Sequence, residues 1–229
     1  MIGAGLPRLP STPKAVVFDM DGTLFDTEAV YHRALLMAAQ ALGIAMAQDY
    51  PLKSVGMHRT ATLEAFRIDF AHNAVPLVER WDAIMAEEKA LSLALKPGAL
   101  ELLDLLDEIG TPYAIATSAY HQEVASNLEI SGLTGRFGTI VAQGDYAQSK
   151  PHPEPFLVAA QRMAVAPTDC LALEDSLHGV RSAVAAGMMT IMIPDLIQPD
   201  AALAASCFYI AQDLHHVRMM VERAVKTQP

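Results

Sequence analysis

Ala15-Val16-Val17-Phe18-Asp19-Met20-Asp21-Gly22-Thr23 opens on four apolar residues and closes on two acids, a glycine and a threonine. An apolar, β-branched run without alternation predicts a strand covered on both faces, as the strands of parallel sheets are. The run stops at Asp19. Open parallel sheets place ligands outside the carboxyl ends of their strands, so the two acids stand where chemistry is expected. Carboxylates at i and i+2 beside a buried strand are costly unless paired or bound to a cation. Taken alone, the segment is equally a turn with solvated acids.

Downstream, Thr27 is expected to N-cap a helix reaching about Leu42, with Val30, Ala34, Leu35, Ala38, Ala41 and Leu42 on one apolar stripe. Gly43 would end it. Two further helical patterns, Arg59 to Phe70 and Pro76 to Leu95, follow with no strand pattern between Thr27 and Leu95. Residues 27–95 therefore read as an all-helical insert. After Lys96-Pro97-Gly98 the pattern alternates. Helices are expected at Ala99 to Ile109, Gln122 to Leu128, Glu154 to Met163 and Ser176 to Ala186, and strands at Tyr113 to Ala116, Thr139 to Ala142, Cys170 to Leu173 and Thr190 to Ile193. Strand and helix in alternation predict an α/β fold, a Rossmann-like parallel sheet core with right-handed crossovers. Its two parts would be residues 1–26 and 96–229.

The composition, 52% hydrophobic and 18% charged over 229 residues, provides for one sizeable core and a small satellite domain. No apolar run approaches the roughly 20 residues that a membrane span needs, so no membrane partner is expected. The net charge of −10 argues against nucleic acid. Cys170 and Cys207 lie in apolar stretches without zinc-like spacing and are expected to be buried thiols. Residues 1–13, rich in Gly and Pro, are expected to form a flexible leader, and the lack of a signal-peptide core makes the cytoplasm the expected location.

Three more segments sit at expected strand ends or in loops beside them. Thr117-Ser118 could bind phosphate through hydroxyl and N–H groups, or simply cap the next helix. Lys150-Pro151-His152-Pro153 sets a lysine in a stiff loop, where it could neutralise phosphate, buttress a carboxylate or stand exposed. Glu174-Asp175-Ser176 adds a second acidic pair, or a helix start whose acids the dipole favours.

In this order the four segments resemble the haloacid-dehalogenase-like (HAD) superfamily, from about Lys14 onward. The position of the helical insert, together with Phe18 to Thr27 and Leu173 to Ser176 with Gly179 and Ala183, is similar to the subfamily with a small helical cap domain inserted after the first strand. That subfamily includes β-phosphoglucomutase and many sugar-phosphate phosphatases. The resemblance implies that Asp19 is the nucleophile and forms an aspartyl-phosphate. Asp21 would be the general acid and base. Thr117 and the Ser118 N–H would hold the phosphoryl oxygens, with Lys150 offsetting charge. It further implies a Mg²⁺ ion on Asp19, the carbonyl of Asp21 and Asp175, with Glu174 acting from beside or behind. In the cap, Arg59, with His58 beside it, could bind a distal anionic part of the substrate, or Arg59 could be a surface arginine near a helix start.

The activity so implied is a Mg²⁺-dependent phosphatase acting on a small phosphorylated metabolite, most simply a sugar phosphate, in a monomer or homodimer. A phosphomutase of the β-phosphoglucomutase type would use the same motifs. A noncatalytic binding protein fits less well, because Asp19, Asp21, Thr117, Lys150 and Asp175 are all present.

Overall fold

A computed structural model describes residues 5–54, 59–91 and 93–226. Six parallel strands form one sheet in the order β3-β2-β1-β4-β5-β6: β1 (Ala15–Phe18), β2 (Tyr113–Tyr120), β3 (Thr139–Gln143), β4 (Cys170–Glu174), β5 (Met189–Met192) and β6 (Tyr209–Ile210). Chain progression runs outward from β1 through β2 to β3 on one side and from β4 to β6 on the other. The carboxyl ends of β1 and β4 therefore meet at a topological switch point, where such sheets form their ligand crevice.

Strand alternation divides the core between two faces. Val16 and Phe18 of β1 join Leu102, Leu103 and Leu106 of α4 (Ala99–Glu108), Val124 and Leu128 of α5 (His121–Ile130), and Val217, Met220 and Val221 of α9 (Leu214–Lys226). Ala15 and Val17 pack the other way, on Phe156, Ala159 and Ala160 of α6 (Glu154–Arg162) and Ala183 of α7 (Leu177–Ala185). Both faces of β1 are thus dry, which is why the sequence there shows no polar alternation. A short α8 (Ala201–Ser206) precedes β6.

The insert carries α1 (Thr27–Ala41), α2 (Arg59–Phe70) and α3 (Ala74–Leu91). Its apolar stripes close on their own cluster, with Val30, Ala34, Leu35 and Ala38 against Phe66, Leu77, Val78, Ile84 and Met85. Two linkers join it to the sheet domain and pair with each other: Phe25 bridges Leu95, the Asp26 N–H donates to the Ala94 carbonyl, and the Lys96 N–H donates to the Leu24 carbonyl.

Several expectations are corrected. The third insert helix ends at Leu91 rather than Leu95, because Ala94 and Leu95 are drawn into the linker pairing. Thr27 is the first helical residue and not the cap; Asp26 holds that position, and the buried Thr27 hydroxyl has no hydrogen-bond partner among the described residues. β2 runs on through Thr117 and Ser118 to Tyr120, whose backbone N–H donates to Glu123, so α5 starts later than a Thr117 cap would require. The leader expected to be flexible is anchored in its second half, with Leu9 only 2% exposed and packed in the main core. Cys170 is buried as expected, but Cys207 is half-buried. No helix among the described residues is long and apolar enough to cross a membrane.

Candidate active site

The register places Phe18 beside Ile115 on one side and Leu173 on the other. Asp19, one residue on, therefore stands between the ends of β2 and β4, and its N–H donates to the Leu173 carbonyl at 2.9 Å. Lys150 reaches into the same space from the loop before α6. Its ammonium donates to Asp19 Oδ1 at 2.5 Å, Glu174 Oε1 at 2.7 Å and the Ala116 carbonyl at 2.9 Å, which uses all three of its protons. It also lies 4.9 Å from the centre of the Phe156 ring. Asp19, Glu174 and Asp175 each offer an oxygen within 4.8 Å of the others, and all three residues are buried.

Glu174 is locked from both ends. Its Oε2 accepts from the backbone N–H and the hydroxyl of Ser176, both at 2.9 Å, while the Ser176 hydroxyl in turn accepts from the Gly179 N–H and caps α7. A methyl group on Gly179 would overlap the Glu174 carboxylate. Gly179→Ala is therefore expected to displace Glu174 from Lys150, lowering stability by about 1–3 kcal/mol as overpacking does. Thermal or urea unfolding of the variant checks this, and an unchanged midpoint would refute the close approach. Gly22, at a φ of +82°, does the same service for Asp175, whose carboxylate occupies the place a side chain would take. The Thr23 hydroxyl donates to Asp175 at 3.4 Å.

These contacts leave three acids around one ammonium. Burial first, then Glu174, push the Asp19 carboxyl well above the usual carboxylate range despite the opposing pull of Lys150. Asp175 is pushed up by burial and by Glu174 and Asp19. Burial works to lower the Lys150 ammonium, but Asp19 and Glu174 outweigh it and hold the lysine charged above its ordinary range. The acids thus exceed the positive charge the protein supplies, and either protons or a cation must make up the difference. The donors beside Asp19 are carboxylate oxygens, without sulfur or imidazole, a set suited to a hard divalent ion. Both oxygens of Glu174 are already engaged, so Asp19 and Asp175 are the members with capacity to spare.

Thr117 is buried one position beyond Ala116 on β2; its hydroxyl accepts from the Ala119 N–H at 3.0 Å, which leaves the hydroxyl proton to donate. Ser118 is exposed at the same strand end. Asp21 lies in the turn that bridges back to Phe25, and its Oδ1 accepts from the Tyr31 hydroxyl at 3.2 Å. Sequence reasoning missed Tyr31, although it shares a face of α1 with Thr27 and Glu28. Glu28 was missed as well: burial, reinforced by Asp21 and Asp195, pushes its carboxyl up to about 7. His58 lies outside the described residues; Arg59 opens α2, and its side chain is likewise outside them.

The sequence from residue 16 to 193 matches the family described as haloacid dehalogenase-like hydrolase. A phosphoglycolate phosphatase from Xylella fastidiosa is 31% identical over 194 residues, which are 81% of this chain and 82% of that protein. Hexitol phosphatase B from Escherichia coli is 30% identical over 193 residues, 80% of this chain and 86% of the relative. The crystal structure of CbbY from Rhodobacter sphaeroides in complex with phosphate superposes with a TM-score of 0.69 at 27% identity, covering 88% of this chain and 95% of that one.

Proposed function

The chain belongs to the haloacid dehalogenase-like hydrolase family, and from that premise we propose that it is a Mg²⁺-dependent phosphatase of a small phosphorylated metabolite, a sugar or polyol phosphate, working through an aspartyl-phosphate. The observation that carries this reading is the Asp19 carboxylate, buried at a strand end, 2.5 Å from Lys150 and grouped with Glu174 and Asp175. The relative named hexitol phosphatase supports a polyol phosphate, and the one named phosphoglycolate phosphatase supports a small phosphorylated metabolite more broadly.

In this account Asp19 attacks phosphorus and its carboxylate oxygen forms the new bond, while the bond to the leaving oxygen breaks and Asp21 gives that oxygen a proton. Asp21, now a carboxylate, takes a proton from water as the water attacks the aspartyl-phosphate; the products are free Asp19 and inorganic phosphate. The Thr117 hydroxyl and Ser118 N–H bind the phosphoryl oxygens, and Lys150 opposes the negative charge gathered between Asp19 and phosphate. Asp19, Asp175 and the Asp21 carbonyl would hold Mg²⁺, which supplies further positive charge for the phosphoryl group. Residues 27–95 act as a cap over a core of residues 1–26 and 96–229, and His58 and Arg59 on the cap meet the distal end of the substrate. Such an enzyme would act in the cytoplasm as a monomer or homodimer.

Phosphate release from a panel of phosphorylated polyols, sugars and nucleotides tests the reading. Turnover is expected to vanish in excess chelator, to return with Mg²⁺ and not with Ca²⁺, whose larger size and higher ligand number suit in-line attack poorly. Full turnover in chelator would overturn the metal dependence, and activation by a sugar bisphosphate with no phosphate released would replace the phosphatase with a mutase.

A further inference from the structure

Lys89 of α3 is 9% exposed, and its one side-chain hydrogen bond among the described residues is to the Tyr31 hydroxyl at 3.4 Å. Buried lysines are ordinarily paired with an acid. Here the pairing is indirect, because Tyr31 in turn donates to Asp21 Oδ1 at 3.2 Å. The tyrosine is held in place independently of either partner. Trp81 packs edge-on against its ring, with centroids 6.2 Å apart and planes at 75°, and the indole N–H donates to the Tyr31 carbonyl at 3.2 Å.

The direction of this relay follows from donor chemistry. An ammonium can only donate, so the Tyr31 oxygen accepts from Lys89. A phenol has one proton, and with its oxygen engaged by Lys89 that proton is turned to Asp21.

From this geometry we infer that Tyr31 and Lys89 are positioning residues supplied by the helical insert: they fix the carboxylate plane of Asp21, hold Oδ1 as an acceptor and leave Oδ2 as the oxygen that exchanges protons with the leaving group and with water. The inference rests on the reading of Asp21 as acid and base. It also makes the orientation of Asp21 depend on the docking of α1 and α3 over the strand ends, since both side chains of the relay come from the insert.

The test uses Tyr31→Phe, Lys89→Met, the double variant and Asp21→Asn, each compared with the wild type on an aryl phosphate whose leaving group needs no proton. Phenylalanine and methionine keep most of the packing volume, and thermal unfolding confirms that each variant is folded. Tyr31→Phe is expected to lower kcat by about tenfold or more, the scale on which misplacing a catalytic group acts. KM is expected to fall in parallel and leave kcat/KM near the wild-type value, because the slowed step is hydrolysis of the phosphorylated enzyme while attack of Asp19 on a leaving group that needs no proton is unaffected. Phosphorylated protein should accumulate during turnover, seen by intact mass, because water activation is slowed. Lys89→Met should act in the same direction, and the double variant should be no worse than Tyr31→Phe, as residues in one relay are not additive. Wild-type kcat in a folded Tyr31→Phe protein, additive losses, or a rise in KM alone would overturn the inference. Asp21→Asn separates the two levels of failure: if it retains wild-type turnover the acid and base reading itself falls, and if it loses turnover while Tyr31→Phe does not, only the relay falls.

Discussion

Lys150→Met is expected to remove measurable turnover and to destabilise the fold by about 3–5 kcal/mol, the cost of deleting one partner from a buried ion pair. The lysine side chain is 6% exposed and its neighbours Asp19 and Glu174 are 10% and 1% exposed, so solvent cannot replace it. Methionine keeps the stem that lies by Phe156 but gives up hydrogen bonds to two carboxylates and to the Ala116 carbonyl. The remaining acids then repel one another and take up protons, and a protonated Asp19 is a poor nucleophile. Urea unfolding and phosphate release measure the two effects separately. A variant that kept wild-type stability would show that the ion pair contributes little, and one that kept turnover would remove Lys150 from the chemistry.

Asp19→Asn is expected to lower turnover by about 10⁴-fold or more, because an amide cannot supply the anionic nucleophile. Its cost in stability is expected to be smaller. The substitution removes one of three clustered acids, and burial first, then repulsion from Glu174, raise the carboxyl of Asp19 in the native protein. The variant should therefore unfold at a higher midpoint than Lys150→Met, although both are inactive. Equal destabilisation of the two would mean that the site is held together by the contact geometry rather than by charge balance.

The sheet was legible because each half of its logic is local. Ala15 to Phe18 is apolar at every position, and the structure covers it on both faces. The acids after β1 and β4 were legible for the same reason, as each block directly follows an apolar run. That the two blocks meet depends on β1 and β4 being neighbours, which follows from strand order rather than from either segment. The extension of β2 was hidden, because Thr117-Ser118-Ala119-Tyr120 has the composition of a cap and is extended by its pairing of Tyr120 with Gln143 on β3. The closing helix α9 was missed although Leu214, Val217, Met220, Val221 and Ala224 recur at helical spacing and are all buried along one face, a stripe that was legible in the sequence. Tyr31 and Lys89 could not be tied to Asp21 from sequence, because their meeting requires both insert helices to be docked over the strand ends.

The central claim is that a phosphoryl group passes through Asp19, and trapping it tests that claim most directly. Asp21→Asn leaves Asp19 able to attack an aryl phosphate with a good leaving group but removes the base that activates water. Incubated with such a substrate and Mg²⁺, quenched in acid and weighed intact, this variant is expected to carry one added phosphoryl group, which peptide mapping assigns to Asp19. The Asp19→Asn protein treated in the same way is expected to carry none. A phosphoryl group on any other residue, or an adduct that persists in Asp19→Asn, would contradict the account.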